Sequence, residues 1–305
     1  MKFFDLHCDT IGECYLQKQP LYRNHLHLDL SRGAEFSAWT QCFAIWIPDE
    51  IRGQQALDYF KAVHQTYERE CTQNKMLVTP CIENDDFVRA ERLGTCGAVL
   101  TVEGGAVLGG NISYLASCGV RMLTLTWNGT CEFGDGAMVT HPKGLTKFGR
   151  QAIPKLEQHR IVVDISHASE PLFYDVAEIA NRPLVASHSN AKAVCNHPRN
   201  LTNEQVQIIK QSGGLIGLNF HPPFLKEDGI ATVDDLIAHT EHFLSLDTQD
   251  SLAIGSDFDG ADLPRGICGI EGIYAIFERF LQLGYSETLL NKIFYTNAQK
   301  FFVSL

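Results

Sequence analysis

What most constrains this chain is a recurring unit: a short apolar run closed by a polar residue or glycine, usually followed by a stretch of helical periodicity. Eight such runs occur: Phe3 to Leu6, Gln41 to Ile47, Ala98 to Val102, Arg121 to Thr126, Ile161 to Ile165, Pro183 to Ala186, Gly214 to Asn219 and Ser251 to Gly255. Several are near-continuous in Val, Ile and Leu, the pattern of strands buried on both faces of a parallel sheet. Gln54 to Thr72, Thr146 to His159, Pro171 to Asn181, Asn203 to Gln211 and Val233 to Leu246 carry apolar residues at helical spacing. Strand then helix, repeated, predicts an α/β fold closed as a (β/α)8 TIM barrel, with an open doubly wound sheet as the alternative. Ser286 to Phe302 reads as a closing helix. No linker, internal repeat or low-complexity tract divides the chain, so residues 1–305 are expected to form a single barrel domain.

Charge and cysteine usage narrow the partners. The net charge of -11 and the lack of a Lys/Arg cluster argue against nucleic acid and against an anionic membrane. No apolar run is long enough to span a bilayer, and Met1-Lys2 leads directly into the first run without a secretory leader, so a cytoplasmic location is expected. The ten cysteines show no CxxC pairing and read as mostly buried thiols, not as a disulfide framework. Both a monomer and a homodimer fit the sequence.

In a barrel of this kind the chemistry lies just past the C-terminal ends of the strands. The first run leads into His7 and Asp9, which strand alternation puts on one side with Cys8 on the other. An imidazole and a carboxylate so placed can share a metal ion, although for that pair alone a core histidine beside a helix N-cap is the better reading. The third run ends in Glu103, followed by Gly104-Gly105, where missing Cβ atoms would let the carboxylate approach a metal. The fifth ends in Asp164-Ile165-Ser166-His167 and the sixth in Ser187-His188-Ser189. The eighth gives Gly255-Ser256-Asp257-Phe258-Asp259-Gly260, which by itself is turn chemistry. Together, three histidines and two or three carboxylates from separate strands suit a binuclear site with one bridging carboxylate. Two divalent cations would acidify a water between them and polarise a carbonyl. Asp257 is the candidate for passing a proton to the leaving group.

These stretches, with Leu123-Thr124-Leu125-Thr126 and Pro198-Arg199-Asn200-Leu201, resemble the renal or membrane dipeptidase family of zinc hydrolases with amidohydrolase-like barrels. They occur in the family's order from residue 5 to about residue 260. The resemblance implies two Zn2+ ions, one on His7 and Asp9 and the other on His167 and His188, with Glu103 bridging and Asp257 as proton shuttle. It implies that Arg199 pairs bidentately with the free carboxylate of a dipeptide, a task suited to a planar guanidinium. Such enzymes cleave dipeptides and tolerate a D-residue at the C-terminal position. One departure stands out: Trp127-Asn128 follows the Leu-Thr-Leu-Thr run where better-known members carry an oxyanion-stabilising histidine. Trp127 and Asn128 are therefore expected at the substrate, and hydrolysis of another amide or a lactone is the alternative activity.

Overall fold

The computed structural model describes residues 1–107 and 111–305. Nine parallel strands form one sheet: β1 Lys2–Cys8, β2 Ala38–Trp46, β3 Val78–Pro80, β4 Cys96–Glu103, β5 Val120–Thr124, β6 Val162–Asp164, β7 Val185–Ala186, β8 Leu215–Leu218 and β9 Leu252–Ile254. Because β1 pairs with both β2 and β9, and β2 pairs with β4, the sheet closes into a barrel of eight strands; the open-sheet alternative is excluded. Each of the eight apolar runs overlaps one barrel strand, and the strands of the first four begin one to three residues before their runs. The ninth strand, β3, is additional: it pairs with Cys96 to Ala98 of β4, along the edge that β5 takes over from Leu100 onward. Three residues ending in a proline give no alternation to read, which is why the sequence does not announce it.

The helices predicted from periodicity form as Gly53–Gln73, Lys147–Gln158, Glu170–Ile179, Asn203–Gln211 and Val233–Ser245. Their starts are set by side chains that accept otherwise orphaned amides: Thr146 from Gly149, Ser169 from Leu172, and Thr202 in a capping box with Gln205. The closing helix is Glu287–Asn291 and Asn297–Val303 joined by a π turn at Lys292–Thr296. Among the described residues, no helix is long and apolar enough to cross a membrane.

Strand alternation sorts the core into two layers. Val99, Met122, Val162, Val185, Leu215 and Ala253 join Phe4 and Cys42 in an inner cluster, with at least one residue from every barrel strand. Their chain neighbours Leu100, Leu123, Val163, Ala186, Ile216 and Ile254 pack in the outer cluster with helix residues such as Phe60, Ile153, Phe173 and Phe280. The closing helix contributes Tyr295, Ala298, Phe301 and Phe302 to the inner cluster, and Phe302 lies 5.3 Å from Phe4 and 5.8 Å from Phe87, ring centre to ring centre. Aromatic rings thus fill the end of the barrel where the strands begin. Polar groups are left to the other end.

Candidate active site

Six expected side chains converge past the C-terminal strand ends. Glu103, the last residue of β4, is at the centre: its Oε1 lies 2.8 Å from His167 Nε2 and 3.5 Å from His188 Nε2. Its Oε2 lies 3.8 Å from His7 Nε2, which is itself 3.3 Å from Asp9 Oδ2 and 3.8 Å from Asp257 Oδ1. His7, Asp9 and Glu103 form one group able to hold a cation, and Glu103, His167 and His188 form a second.

Local backbone irregularities aim these groups. Asp5 to Cys8 of β1 oppose only Gln41 to Phe43 of β2, a bulge that changes the strand's alternation just before His7 and Asp9. His167, Asp257 and Asp259 have φ of 65°, 63° and 67°, a left-handed conformation unusual for a histidine and strained by about 1–3 kcal/mol each. The glycine requirement also falls elsewhere than expected. Gly104 takes φ 98°, and a Cβ on Gly105 would strike the Phe133 ring, so these glycines serve the chain path. It is Gly260 whose Cβ would enter the site, striking Asp9 Oδ2 and coming within 2.6 Å of Asp257 Oδ1.

Hydrogen bonds behind the histidines fix their tautomers. Ser187 Oγ donates to Asp164 Oδ2 at 2.5 Å, which leaves it to accept from His188 Nδ1 at 2.7 Å. Asn128 Oδ1 accepts from His167 Nδ1 at 3.0 Å. Both rings therefore carry the proton on Nδ1 and present an Nε2 lone pair, and those two nitrogens face each other at 2.9 Å beside a carboxylate oxygen. Lone pairs so crowded repel unless a cation lies between them, and Nδ1 held by an outer partner is the arrangement of metal-ligating histidines. Burial keeps both rings neutral, lowering their pKa well below the usual range with the help of Arg199 and His7. Burial opposes charge on His7 too, but Glu103, Asp9 and Asp257 outweigh it and push its pKa up to about 10. Glu103 is held far above the carboxylate range by burial. Asp9 Oδ1 is buried with no hydrogen-bond partner. Together these groups have the composition and the unmet bonding of a site for divalent cations.

Known proteins share this sequence pattern and this fold. The family model for membrane dipeptidase, peptidase family M19, matches residues 1–304. The chain belongs to that family. M19 members are metallopeptidases of the dipeptidase class, and the barrel described above is theirs. A crystal structure of dipeptidase AC, an M19 metallopeptidase, superposes with a TM-score of 0.92 at 28% identity, covering 99% of this chain and 98% of that one. A metallopeptidase from Rhodobacter sphaeroides, liganded with a phosphinate mimic of L-Ala-D-Ala, superposes equally well at 27% identity with the same coverage. An uncharacterised protein of Klebsiella pneumoniae is 32% identical over 230 residues, 71% of this chain and 85% of its own. Dipeptidase 3 of Homo sapiens is 26% identical over 280 residues, 88% of this chain and 55% of its own length.

Around the M19 centre lies a cavity of about 340 Å3. Trp127 and Asn128 line it, and Trp127 packs edge-to-face on Trp46 at 5.0 Å. Asn128 has the second task of holding His167, which the sequence did not reveal. Arg199, in the loop after β7, is 4% exposed and lies beside the centre, donating to His188 O at 3.4 Å, with its Nε unpartnered. Burial lowers its pKa to about 10 against the pull of Asp257 and Glu103. Sequence reading missed Trp46, Asn219 and His221. Asn219 Nδ2 donates to Asp257 Oδ2 at 3.0 Å, and His221 forms part of the cavity wall. The rule that finds polar residues after an apolar run reaches both, had the seventh run been ended at Leu218 instead of Asn219.

Proposed function

We propose that this M19 chain, acting as one barrel domain, is a binuclear zinc dipeptidase that cleaves dipeptides including L-Xaa-D-Xaa. The observation that carries the reading is the split of Glu103, whose two oxygens serve separate donor sets: His167 and His188 on one side, His7 and Asp9 on the other. When bound there, paired cations supply an acidified water and polarise the scissile carbonyl.

The chain's own groups do the remainder. Arg199 is a buried guanidinium with no carboxylate paired to it among the described residues. An uncompensated buried cation is costly, so the position favours an incoming anion, and the free carboxylate of a dipeptide supplies one. Asp257 takes the proton released by the attacking water and passes it to the leaving amine. Asn219 holds one of its oxygens, and Asp257 Oδ1 stays on the side of His7. Trp46 and Trp127 wall the cavity and exclude water. The ligand on the R. sphaeroides relative, a mimic of L-Ala-D-Ala, supports an L,D substrate.

Purified protein is expected to contain close to two zinc ions per chain and to hydrolyse L-Ala-D-Ala. Metal-replete protein inert toward a full L,L and L,D dipeptide panel overturns the activity. A stoichiometry that saturates at one ion overturns the binuclear centre.

A further inference from the structure

Two buried aspartates precede the histidines on their strands, Asp5 two residues before His7 and Asp164 three before His167. Neither lines the cavity, and both are bonded on the same plan. Asp5 Oδ1 accepts from the backbone amides of His7 and Ser256, and its Oδ2 from Ser256 Oγ at 2.6 Å and Gln41 Nε2 at 2.9 Å. Asp164 Oδ1 accepts from the backbone amides of Ser166 and Ser187, and its Oδ2 from Ser187 Oγ and Thr124 Oγ1, both at 2.5 Å. Each carboxylate thus joins its own strand to both neighbours: Asp5 ties β1 to β2 and to the segment after β9, and Asp164 ties β6 to β5 and to the segment after β7. The difference lies one atom further out. Ser187 Oγ also accepts from His188 Nδ1 at 2.7 Å, so the bonds of Asp164 lead to an imidazole of the centre. Ser256 Oγ has His7 O at 3.3 Å, so those of Asp5 lead back to main chain.

We propose that Asp164 is the positioning residue for one half of the centre: acting through Ser187, it keeps the proton on His188 Nδ1 and so sets how tightly the His167 and His188 donors hold a cation. Asp5, with matching bonds, only joins strands. The inference rests on the binuclear reading. Replacing each carboxylate by its amide isostere separates the two roles. In D164N the backbone amides at Oδ1 keep the carboxamide oxygen there, because an NH2 group would meet them donor to donor. The NH2 therefore takes the place of Oδ2 and donates to Ser187, which has lost the acceptor for its own proton. His188 Nδ1 at 2.7 Å is nearer to it than Ser166 Oγ at 3.4 Å. Once Nδ1 accepts that bond, the ring keeps its single proton on Nε2 and no longer offers a lone pair to a cation. D5N turns its amide the same way, but the surroundings absorb it. Ser256 donates to His7 O instead, and Gln41 turns its carboxamide over, losing only a 3.4 Å bond from Trp39 Nε1.

Zinc affinity measured by chelator competition on the parent, D5N and D164N tests this without recourse to turnover. D164N is expected to weaken one of the two ions by about 10- to 100-fold and to leave the other near parental strength, while D5N leaves both near it. Crystals of D164N given one equivalent of zinc, with diffraction recorded at the zinc edge, should show the ion on His7 and Asp9. If D164N does not fold, S187A against S256A repeats the contrast, since each deletes one hydroxyl from the same plan. Equal weakening in the paired variants, loss of both ions or of neither in D164N, or a remaining ion on His167 and His188 overturns the proposal. A parent that saturates at one ion fails the binuclear reading, and this inference falls with it; a parent that holds two while the contrast is absent leaves that reading standing and removes the inference alone.

Discussion

The two ends of the barrel are built on opposite terms. Where the strands begin, Phe4, Phe87, Phe301 and Phe302 stack in a buried cluster that bonds to nothing and needs nothing further. Where they end, buried polar atoms lack partners, Asp9 Oδ1 and Arg199 Nε among them, and three non-glycine residues sit in the left-handed region. One end contributes stability, and the other gives some of it up to keep bonding capacity free for what binds. Strained and unpartnered groups also occur where the strands begin, at Arg160, Asp247 and Arg121, but none belongs to the aromatic cluster, so substitutions in that cluster and in the polar site should have different consequences.

The largest effect belongs to the open end. E103Q removes the one carboxylate both donor sets share, so bound metal should drop and kcat/KM should fall by roughly 10^3 or more. Because burial already holds Glu103 far above its normal pKa, the metal-free variant should melt no lower than the metal-free parent. Metal analysis with calorimetry checks both halves. F302A is the mirror image: truncating a fully buried ring should cost about 3–5 kcal/mol in urea unfolding, with turnover per folded molecule unchanged. Variants that each disturb both properties would erase the distinction between the ends.

A smaller effect tests a joint between them. His239 accepts from Ala191 N at Nδ1 and donates to Leu225 O from Nε2, tying down the segments that flank Arg199 and Phe224. Burial lowers its pKa to about 4. A base whose folded pKa lies below its unfolded value of about 6.5 stabilises fully above that value and loses its contribution as pH falls. Between pH 7 and pH 4 the stability advantage of the parent over H239Q should therefore shrink by about 3 kcal/mol. A pH-independent difference would show that the ring is not held neutral by its surroundings.

Much of this was legible in the residues. Barrel strands announce themselves because both faces are buried, and His7, Asp9, Glu103, His167, His188 and Asp257 could be found because each follows such a run. What could not be read depends on contacts between distant segments. The bulge at Asp5 to Cys8 shows only against β2. The need for glycine at 260 appears only once Asp9 and Asp257 approach it. The π turn at Lys292–Thr296 leaves Ile293 and Phe294 in the outer layer while Tyr295 joins the inner cluster, a phase change hidden within an ordinary helical stripe.

Asn128 gives the finest discrimination. Read from sequence, it belongs with Trp127 as a substrate contact; in the structure its Oδ1 also accepts from His167 Nδ1 at 3.0 Å. These roles predict different losses. Without that acceptor the ring is free to change tautomer, so N128A should weaken metal affinity or activity by about 10- to 100-fold, the usual size for an outer partner of a ligating histidine. N128D keeps an acceptor, a stronger one, and should restore affinity as seen by competition with a chelator. If instead N128A raises only KM and leaves metal affinity intact, the bond to His167 carries no weight, and Asn128 acts on the substrate side of the cavity alone.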